Sequence, residues 1–388
     1  MVFFSSAKRR LFVRLAASYA VLNVGVHATT GYLWYDAWRT YHSSDTDSED
    51  EDDGHQFHEN CDALHHSHEA FSDDDPLLKP KMFSAAFRNY ASEMYRWPTV
   101  LTLGARALQW WFGFAFATVG TSIATLGWTG DEGVVQEDPS TPREEPLHGW
   151  RRRVMQNSLQ TAARLVYRAY GFKESDVTMD GEIDPRAGVI VSNHVSFLDP
   201  VVLVGKLPEP PVFLAKASIK DYPVISTWGR AIQAVYVDRR SSKSKRAAIN
   251  EVKRRIEMRQ KDEHAENFGP LLVFPEGTTT CGDALVNFKK GAFLFQQPVQ
   301  PVILHYERCT RSGWRPSLVH SDSRGNMISP AFVIFRTLAT PQHRLRIQVL
   351  PLHKPTPAET DDASLFAENV RKEMAKAGNL DLADVSAY

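Results

Sequence analysis

The sequence predicts an α/β fold in which a mostly parallel sheet is flanked by helices and preceded by N-terminal membrane helices. From residue 149 onwards, short apolar runs alternate with longer stretches of helical periodicity, the order expected of a parallel sheet with helical crossovers. Two long uncharged stretches precede that region, and each has about the length needed to cross a bilayer. A hydrophobic content of 43% with 23% charged residues is typical of a folded protein.

The first 130 residues divide into three predicted segments. Residues 1–40 are predicted to be a membrane anchor, because the uncharged stretch at 15–35 follows a cluster of basic residues. Residues 41–80 are predicted to be an acidic disordered loop, because a run of Asp and Glu cannot bury enough apolar surface to fold. Residues 81–130 combine an amphipathic helix at 83–96 with a second membrane segment at 107–128, which is rich in Trp and Phe and carries no charge.

These segments leave alternatives open. The N-terminal stretch also fits a signal peptide or a mitochondrial presequence, and residues 97–128 also fit a re-entrant hairpin or a buried core helix. If both segments span, the basic residues at 8–14 and at 151–153 lie on one side, which the positive-inside rule makes cytosolic. The three cysteines are too few and too scattered for a disulfide framework, which favours a reducing compartment.

A polar, proline-containing linker at 131–148 leads into the predicted catalytic domain, residues 149–388. Apolar periodicity places helices at 151–170, 200–206, 244–260 and 365–377. Short apolar or alternating runs place strands at 177–179, 188–191, 212–214, 232–237, 271–274, 299–305 and 345–350.

One histidine and aspartate pair stands out by its context. The chain holds three such pairs five residues apart, but only His194 and Asp199 follow an apolar run that predicts a buried strand. Asp199 and Pro200 are typical of a helix start, with Asp199 as the predicted N-cap. A neutral imidazole beside a carboxylate is suited to general-base catalysis, so this strand-to-helix turn is the candidate catalytic centre.

Further polar groups are predicted at strand ends or in the loops after them, where ligands gather in open α/β sheets. Arg239 offers a planar guanidinium suited to phosphate. The tight turn around Glu276, Gly277 and Thr278 presents backbone N–H groups that suit a phosphate or a developing oxyanion. The remaining features are Lys216 and the segment 298–301.

Four blocks of this chain, in this order, resemble the motifs of the glycerophospholipid acyltransferases. The resemblance covers roughly residues 150–380, and segments 286–293 and 369–371 look most like the lysophosphatidylcholine and lysophosphatidylethanolamine acyltransferase branch. The four blocks are Asn193-His194 with Asp199-Pro200, then Val235-Tyr236-Val237-Asp238-Arg239, then Phe274-Pro275-Glu276-Gly277-Thr278, and finally Val299-Gln300-Pro301-Val302.

The resemblance implies a role for each site residue. His194, supported by Asp199, would deprotonate the free hydroxyl of a lysophospholipid, and the alkoxide would attack the thioester of acyl-CoA. The other expected roles are substrate binding by Arg239, Glu276, Gly277, Thr278 and Lys216, and formation of the acyl pocket by Pro298 and Pro301. Cys281 stands where many relatives carry Asn, and an acyl-cysteine intermediate on Cys281 is the competing mechanism.

The implied partners are acyl-CoA, a lysophospholipid and the lipid bilayer, with no nucleic acid, no cofactor and no metal. The expected location is the membrane of the endoplasmic reticulum, with the catalytic domain facing the cytosol. The calcium-binding EF-hands of some relatives are not expected. Two alternatives stay open, namely an acyltransferase for lysophosphatidic acid or glycerol 3-phosphate, and a non-catalytic lipid-binding scaffold.

Overall fold

The computed structural model describes residues 97–126, 145–217, 223–238, 241–261, 268–308, 315–317, 333–334, 337–338, 340 and 342–384. The predictions of a membrane anchor at 1–40, an acidic loop at 41–80 and an amphipathic helix at 83–96 lie outside the described residues. The same holds for most of the predicted linker at 131–148.

Helices and strands alternate through most of the described chain. The helices are α1 Trp97–Thr125, α2 Gly149–Ala169, α3 Asp199–Lys206, α4 Pro223–Ala231, α5 Ser242–Lys261, α6 Pro357–Asp361 and α7 Ala363–Gly378, with a 3₁₀ turn at Lys290–Ala292. The strands are β1 Phe172–Asp180, β2 Val189–Ser192, β3 Val212–Lys216, β4 Val235–Val237, β5 Leu271–Val273, β6 Ala284–Leu285, β7 Val299–Tyr306, β8 His343–Val349 and β9 Asp381–Leu382.

Seven strands of the described chain form one sheet in the order β1-β8-β7-β2-β5-β3-β4. The five strands from β7 to β4 run parallel to one another, whereas β8 pairs with β7 in the antiparallel direction and β1 runs parallel to β8. Strands β6 and β9 form a separate parallel pair. The predicted α/β fold with a mostly parallel sheet is therefore confirmed.

The central strand β2 is buried along its whole length and divides the core into two layers. Val189 and Val191 pack into a cluster with side chains of α5 and α7, including Ile256 and Phe366. Ile190 points to the other face and packs into a cluster with side chains of α2 and α3. A strand covered on both faces reads as a continuous apolar run, which is why residues 187–191 carry such a clear strand signal.

Helix α1 is one continuous helix of 29 residues, so no hairpin turn lies within it. None of the helices in the described part of the chain is both long enough and apolar enough to cross a membrane. The second predicted membrane segment, 107–128, falls mostly within this helix, whose apolar sequence is interrupted by glycines and hydroxyl residues. The hydroxyls are satisfied by carbonyls one turn earlier, as seen for Thr118, Thr121, Ser122 and Thr125.

Small residues let α1 approach α2 closely. A Cβ atom at Gly120 would overlap the side chain of Ser158, and one at Gly113 would stand 3.0 Å from the carbonyl oxygen of Ala162. Arg151 of α2 donates to the carbonyls of Ala124 and Leu126 at 2.8 Å each, which satisfies groups at the C-terminal end of α1. One face of α1 is therefore buried against α2.

Candidate active site

Four strands deliver their following residues to one edge of the sheet. Val191 of β2 lies beside Val273 of β5, and Lys216 of β3 lies beside Val237 of β4. Because all four strands are parallel, the loops that follow them meet at the same carboxyl edge. His194 lies two residues beyond the end of β2, so the histidine predicted to be catalytic stands at the edge where ligands bind in such sheets.

His194 and Asp199 form a tight pair at this edge. Nδ1 of His194 lies 2.8 Å from Oδ2 of Asp199, and the exposed fractions of the two side chains are 18% and 0%. Because an ionised carboxylate only accepts hydrogen bonds, Nδ1 carries the proton and Nε2 presents its lone pair. The pair can therefore take a proton from a bound hydroxyl through Nε2.

Asp199 is not the N-cap that its position before Pro200 predicts. It is the first residue of α3, and Leu198 occupies the cap position without a capping side chain. The carboxylate points back toward the preceding loop, where the backbone N–H groups of Val195 and Ser196 donate to Oδ2 at 2.7 and 2.8 Å. The oxygen that orients His194 thus also holds in place the backbone of residues 193–198, which we call the catalytic loop.

Glu276 fastens the turn after β5 to this loop. Its carboxyl group is fully buried and accepts the N–H of His194 at 2.7 Å and the N–H of Val286 at 3.4 Å. Burial raises the pKa of Glu276 to about 8 against the opposing effect of these two hydrogen bonds. The N–H of Thr280 also donates to the carbonyl of His194 at 2.7 Å, so the turn fixes the histidine backbone from both sides.

Gly277 and Thr278 continue the same turn, and both are half-buried. Gly277 has φ +75°, which a residue with a side chain rarely adopts. A Cβ atom there would also stand 2.8 Å from Nζ of Lys289, so the lysine side chain lies directly over the glycine. The turn therefore needs glycine at position 277 and brings an ammonium group beside the catalytic loop.

Comparison with known proteins identifies the domain that carries this site. Residues 176–305 match the acyltransferase family. The lysophospholipid acyltransferase LPEAT1 of Arabidopsis thaliana is 34% identical over 284 residues, which are 66% of this chain and 66% of that protein. The lysophospholipid acyltransferase LPCAT4 of Homo sapiens is 33% identical over 240 residues, which are 60% of this chain and 42% of that protein.

The domain belongs to the acyltransferase family. A solved structure, that of the 1-acyl-sn-glycerophosphate acyltransferase PlsC from Thermotoga maritima, aligns with a TM-score of 0.41 and 16% identity over 72% of this chain and all of that chain. The predicted resemblance to glycerophospholipid acyltransferases is confirmed by the family match and by the relatives. The chain spans about two thirds of the length of LPEAT1 and less than half that of LPCAT4.

Two residues of the acyltransferase site were not predicted from the sequence to contribute to it. The ring of Phe274 stacks on the imidazole of His194, with centroids 4.2 Å apart and planes 21° apart. The hydroxyl of Tyr306, the last residue of β7, donates to Oδ1 of Asp199 at 2.5 Å. Phe274 ends the apolar run of β5, whereas nothing in the local sequence links Tyr306 to a residue 107 positions earlier.

Of the two cationic residues predicted to bind substrate, Lys216 lies within the described part of the chain and Arg239 does not. Lys216 is the last residue of β3 and pairs with Val237 of β4, so its backbone lies at the carboxyl edge of the acyltransferase sheet. Arg239 lies outside the described residues. Asp238, the residue before it, follows β4 at the same edge, and its N–H donates to Oγ of Ser244 at 3.0 Å.

Pro298 and Pro301, the residues predicted to form the acyl pocket, lie just before β7 and at its third position. Strand β7 runs parallel to β2 with Val299 opposite Val189 and Pro301 opposite Val191, so both prolines lie toward the amino end of the strand. Pro301 is buried and Pro298 is half-buried. Their role in an acyl pocket stays a prediction.

Within the described residues, no group of three or more His, Cys, Asp or Glu side chains is arranged to hold a metal ion. Cys281 is buried, with 2% of its surface exposed, in a small cluster with Ala284, Val286 and Ala383. Burial disfavours the charged thiolate that a nucleophilic cysteine needs. An acyl-cysteine on Cys281 stays the competing prediction.

Proposed function

We propose that this chain is an acyl-CoA-dependent lysophospholipid acyltransferase, which transfers a fatty acyl group to the free hydroxyl of lysophosphatidylcholine or lysophosphatidylethanolamine. The observation that carries the proposal is the His194–Asp199 pair, held at the carboxyl edge of the sheet inside an acyltransferase domain. The names of the relatives LPEAT1 and LPCAT4 supply the acceptor class.

In the proposed reaction, Nε2 of His194 takes the proton from the acceptor hydroxyl while Asp199 stabilises the imidazolium that forms. The alkoxide oxygen attacks the thioester carbonyl, the new C–O ester bond forms, and the C–S bond breaks. The departing coenzyme A thiolate then takes the proton back from His194. The transfer uses acyl-CoA as co-substrate and requires no metal or other cofactor.

The acceptor and the donor both carry phosphate, and the proposed binding residues are chosen for that chemistry. Arg239 and Lys216 would contact phosphate oxygens as cations that follow or end neighbouring strands. Gly277 and Thr278 would position the glycerol backbone with N–H and hydroxyl groups, as the resemblance implies. Glu276 would act through the His194 backbone, since its carboxyl group is buried. The acyl chain would run past Pro298 and Pro301.

The exposed face of α1 supports a bilayer as the third partner. This face, which we call the apolar stripe, comprises Leu108, Trp111, Phe112, Phe116, Val119, Ile123 and Leu126, each at least 40% exposed. On the opposite face, Trp110 packs against the apolar cluster that contains Val195 and Leu198 of the catalytic loop. We propose that the stripe lies in the membrane interface, as amphipathic helices do, and brings lysolipid to the site.

The membrane proposal has its own test. Phe112→Asp and Val119→Asp place charges on the stripe, and each should lower binding of the purified chain to phosphatidylcholine vesicles in a flotation assay by about tenfold or more. Lys376→Asp, on α7, is the matched surface control and should bind like the wild type. Equal flotation of all variants would contradict the proposal.

For location, we propose the endoplasmic reticulum membrane with a cytosolic catalytic domain, to be checked by fractionation and protease protection.

Activity is tested with purified full-length protein, labelled acyl-CoA and a panel of acceptors. His194→Ala should abolish transfer, because the proposed reaction relies on this imidazole to take the hydroxyl proton. His353→Ala is the matched control, since His353 is also held by carboxylates, Glu373 at 2.6 Å and Glu359 at 3.2 Å, and should retain transfer. Exclusive use of lysophosphatidic acid or glycerol 3-phosphate would establish that alternative acceptor, and binding without transfer would establish a scaffold.

A further inference from the structure

Tyr306 joins the catalytic pair from a different part of the fold. It ends β7, its side chain is buried with 6% exposure, and its hydroxyl donates to Oδ1 of Asp199 at 2.5 Å. The other carboxylate oxygen, Oδ2, accepts His194 Nδ1–H and the N–H groups of Val195 and Ser196. The two carboxylate oxygens of Asp199 therefore have different partners: Oδ2 binds the catalytic loop, and Oδ1 binds the tyrosine.

The sheet holds Tyr306 in place. Its backbone lies opposite Leu345 in the antiparallel pair of β7 and β8, and its ring packs edge-on against Phe172 with centroids 6.1 Å apart. The same strand also anchors the start of the catalytic loop. The side-chain amide of Asn193 donates to the carbonyl of Leu304 at 3.2 Å and accepts the N–H of Leu304 at 2.8 Å.

The hydroxyl of Tyr306 remains a donor throughout the working pH range. Burial and the neighbouring charge of Asp199 raise the pKa of Tyr306 well above its usual range. A hydrogen bond from a protonated phenol draws negative charge toward Oδ1 and away from Oδ2. Less charge on Oδ2 means a weaker hold on a protonated imidazole at His194.

We propose that Tyr306 is a positioning residue of the acyl-transfer reaction, which orients Asp199 and limits how strongly Asp199 favours protonation of His194. The inference rests on the proposed function and adds a third member to the His194–Asp199 pair. Without the tyrosine hydroxyl, the carboxylate is freer to rotate and carries more charge on Oδ2. His194 then holds a proton up to a higher pH and is less available as a base near neutrality.

The test is Tyr306→Phe in the full-length protein, with Tyr167→Phe as the matched control. Tyr167 is also buried and donates to a carboxylate, Oε2 of Glu174 at 2.6 Å, but Glu174 has no contact with His194 in the described structure. Tyr306→Phe should lower kcat about tenfold, which corresponds to about 1.4 kcal/mol, and leave both KM values within about twofold. The acidic limb of its pH–rate profile should move up by about half a pH unit or more.

A second readout does not depend on turnover. Carbethoxylation of His194 by diethyl pyrocarbonate requires the unprotonated imidazole, and mass spectrometry of the His194 peptide gives its pH midpoint. The midpoint should rise in Tyr306→Phe, stay in Tyr167→Phe, and not rise when Tyr306→Phe is added to Asp199→Asn. An unchanged midpoint in folded Tyr306→Phe overturns the inference, whereas failure of wild-type transfer with a shifted midpoint overturns only the proposed function.

Discussion

Replacement of Asp199 by Asn removes one charge while the hydrogen-bond network dictates how the amide must sit. The N–H groups of Val195 and Ser196 cannot reverse, so the amide oxygen must take the place of Oδ2, and the NH₂ group must face Tyr306. The Tyr306 hydroxyl can rotate to accept that hydrogen bond. His194 keeps its Nδ1–H tautomer, and only the charge that stabilises the imidazolium is lost.

The size of the effect follows from the distance. Nδ1 and Oδ2 are 2.8 Å apart, so the charge centres lie about 4 Å apart, and two unit charges at that separation with an effective dielectric constant of about 20 interact by about 4 kcal/mol. Losing that interaction in the transition state lowers kcat by about 10³-fold. The Asp199→Asn protein should still fold, because each backbone donor keeps an acceptor and avoids the cost of about 1–3 kcal/mol per unpaired buried group.

The assay compares kcat, KM and the thermal midpoint of Asp199→Asn with those of wild type and Glu174→Gln. Glu174 also accepts a tyrosine hydroxyl but lies away from the site, so its variant should keep full turnover. Turnover of Asp199→Asn within about tenfold of wild type would refute the role of the charge. A collapse of thermal stability would refute the inferred amide orientation, because it would mean that backbone donors had lost their acceptor.

Three further predictions concern the turn after β5. Burial raises the pKa of Glu276 to about 8 from 4.5, so this residue contributes most to stability below about pH 4.5, and the contribution is lost as pH rises through 8. In thermal melts, the stability of Glu276→Gln relative to wild type should therefore increase as pH rises over this range. A large rise in acceptor KM would instead mean that Glu276 contacts the substrate directly. Lys289→Ala should raise the KM of a phosphate-bearing substrate about fivefold, the effect of roughly 1 kcal/mol. Lys290→Ala is the control, and equal KM values for the two variants would exclude Lys289 from substrate binding. Cys281→Ser should keep turnover within about twofold, since direct transfer needs no thiol, and a trapped acyl-thioester on Cys281 would contradict this.

Most strands were predictable because their signals are local. The run at residues 187–191 is apolar because β2 is covered on both faces, and β7 was predicted at 299–305 for a strand that spans Val299–Tyr306. Helix α4 was missed, because it has only nine residues and Gly229 interrupts its helical periodicity. The reversed direction of β8 was also missed, since a strand's sequence carries no sign of its direction in the sheet.

The candidate site was predictable only in part. His194 was found because a strand before it and a helix after it mark a turn, and Glu276 because it follows a second strand. The sequence could not show that Glu276 is buried and faces the His194 backbone, since that depends on how two loops meet.

The second predicted membrane segment combines residues with different surroundings. Residues 107–128 are free of charge, but Gly113 and Gly120 lie against α2, and the threonine hydroxyls bond to carbonyls within α1 itself. Only the exposed stripe of α1 is suited to a bilayer. Both the packed face and the exposed face of α1 lack charge. Which residues lie on which face depends on where the neighbouring helix packs.

The amino-acid sequence decided which segments become strands and helices and which turn holds the histidine, because apolar periodicity and chain-adjacent residues act over a few positions. The tertiary structure decided which groups bind the two carboxylate oxygens of Asp199. Its local partners, His194, Val195 and Ser196, occupy one oxygen, while the other is taken by Tyr306 from 107 residues away. That contact exists because β7 lies beside β2 in the sheet, and strand order is set by packing over the whole domain.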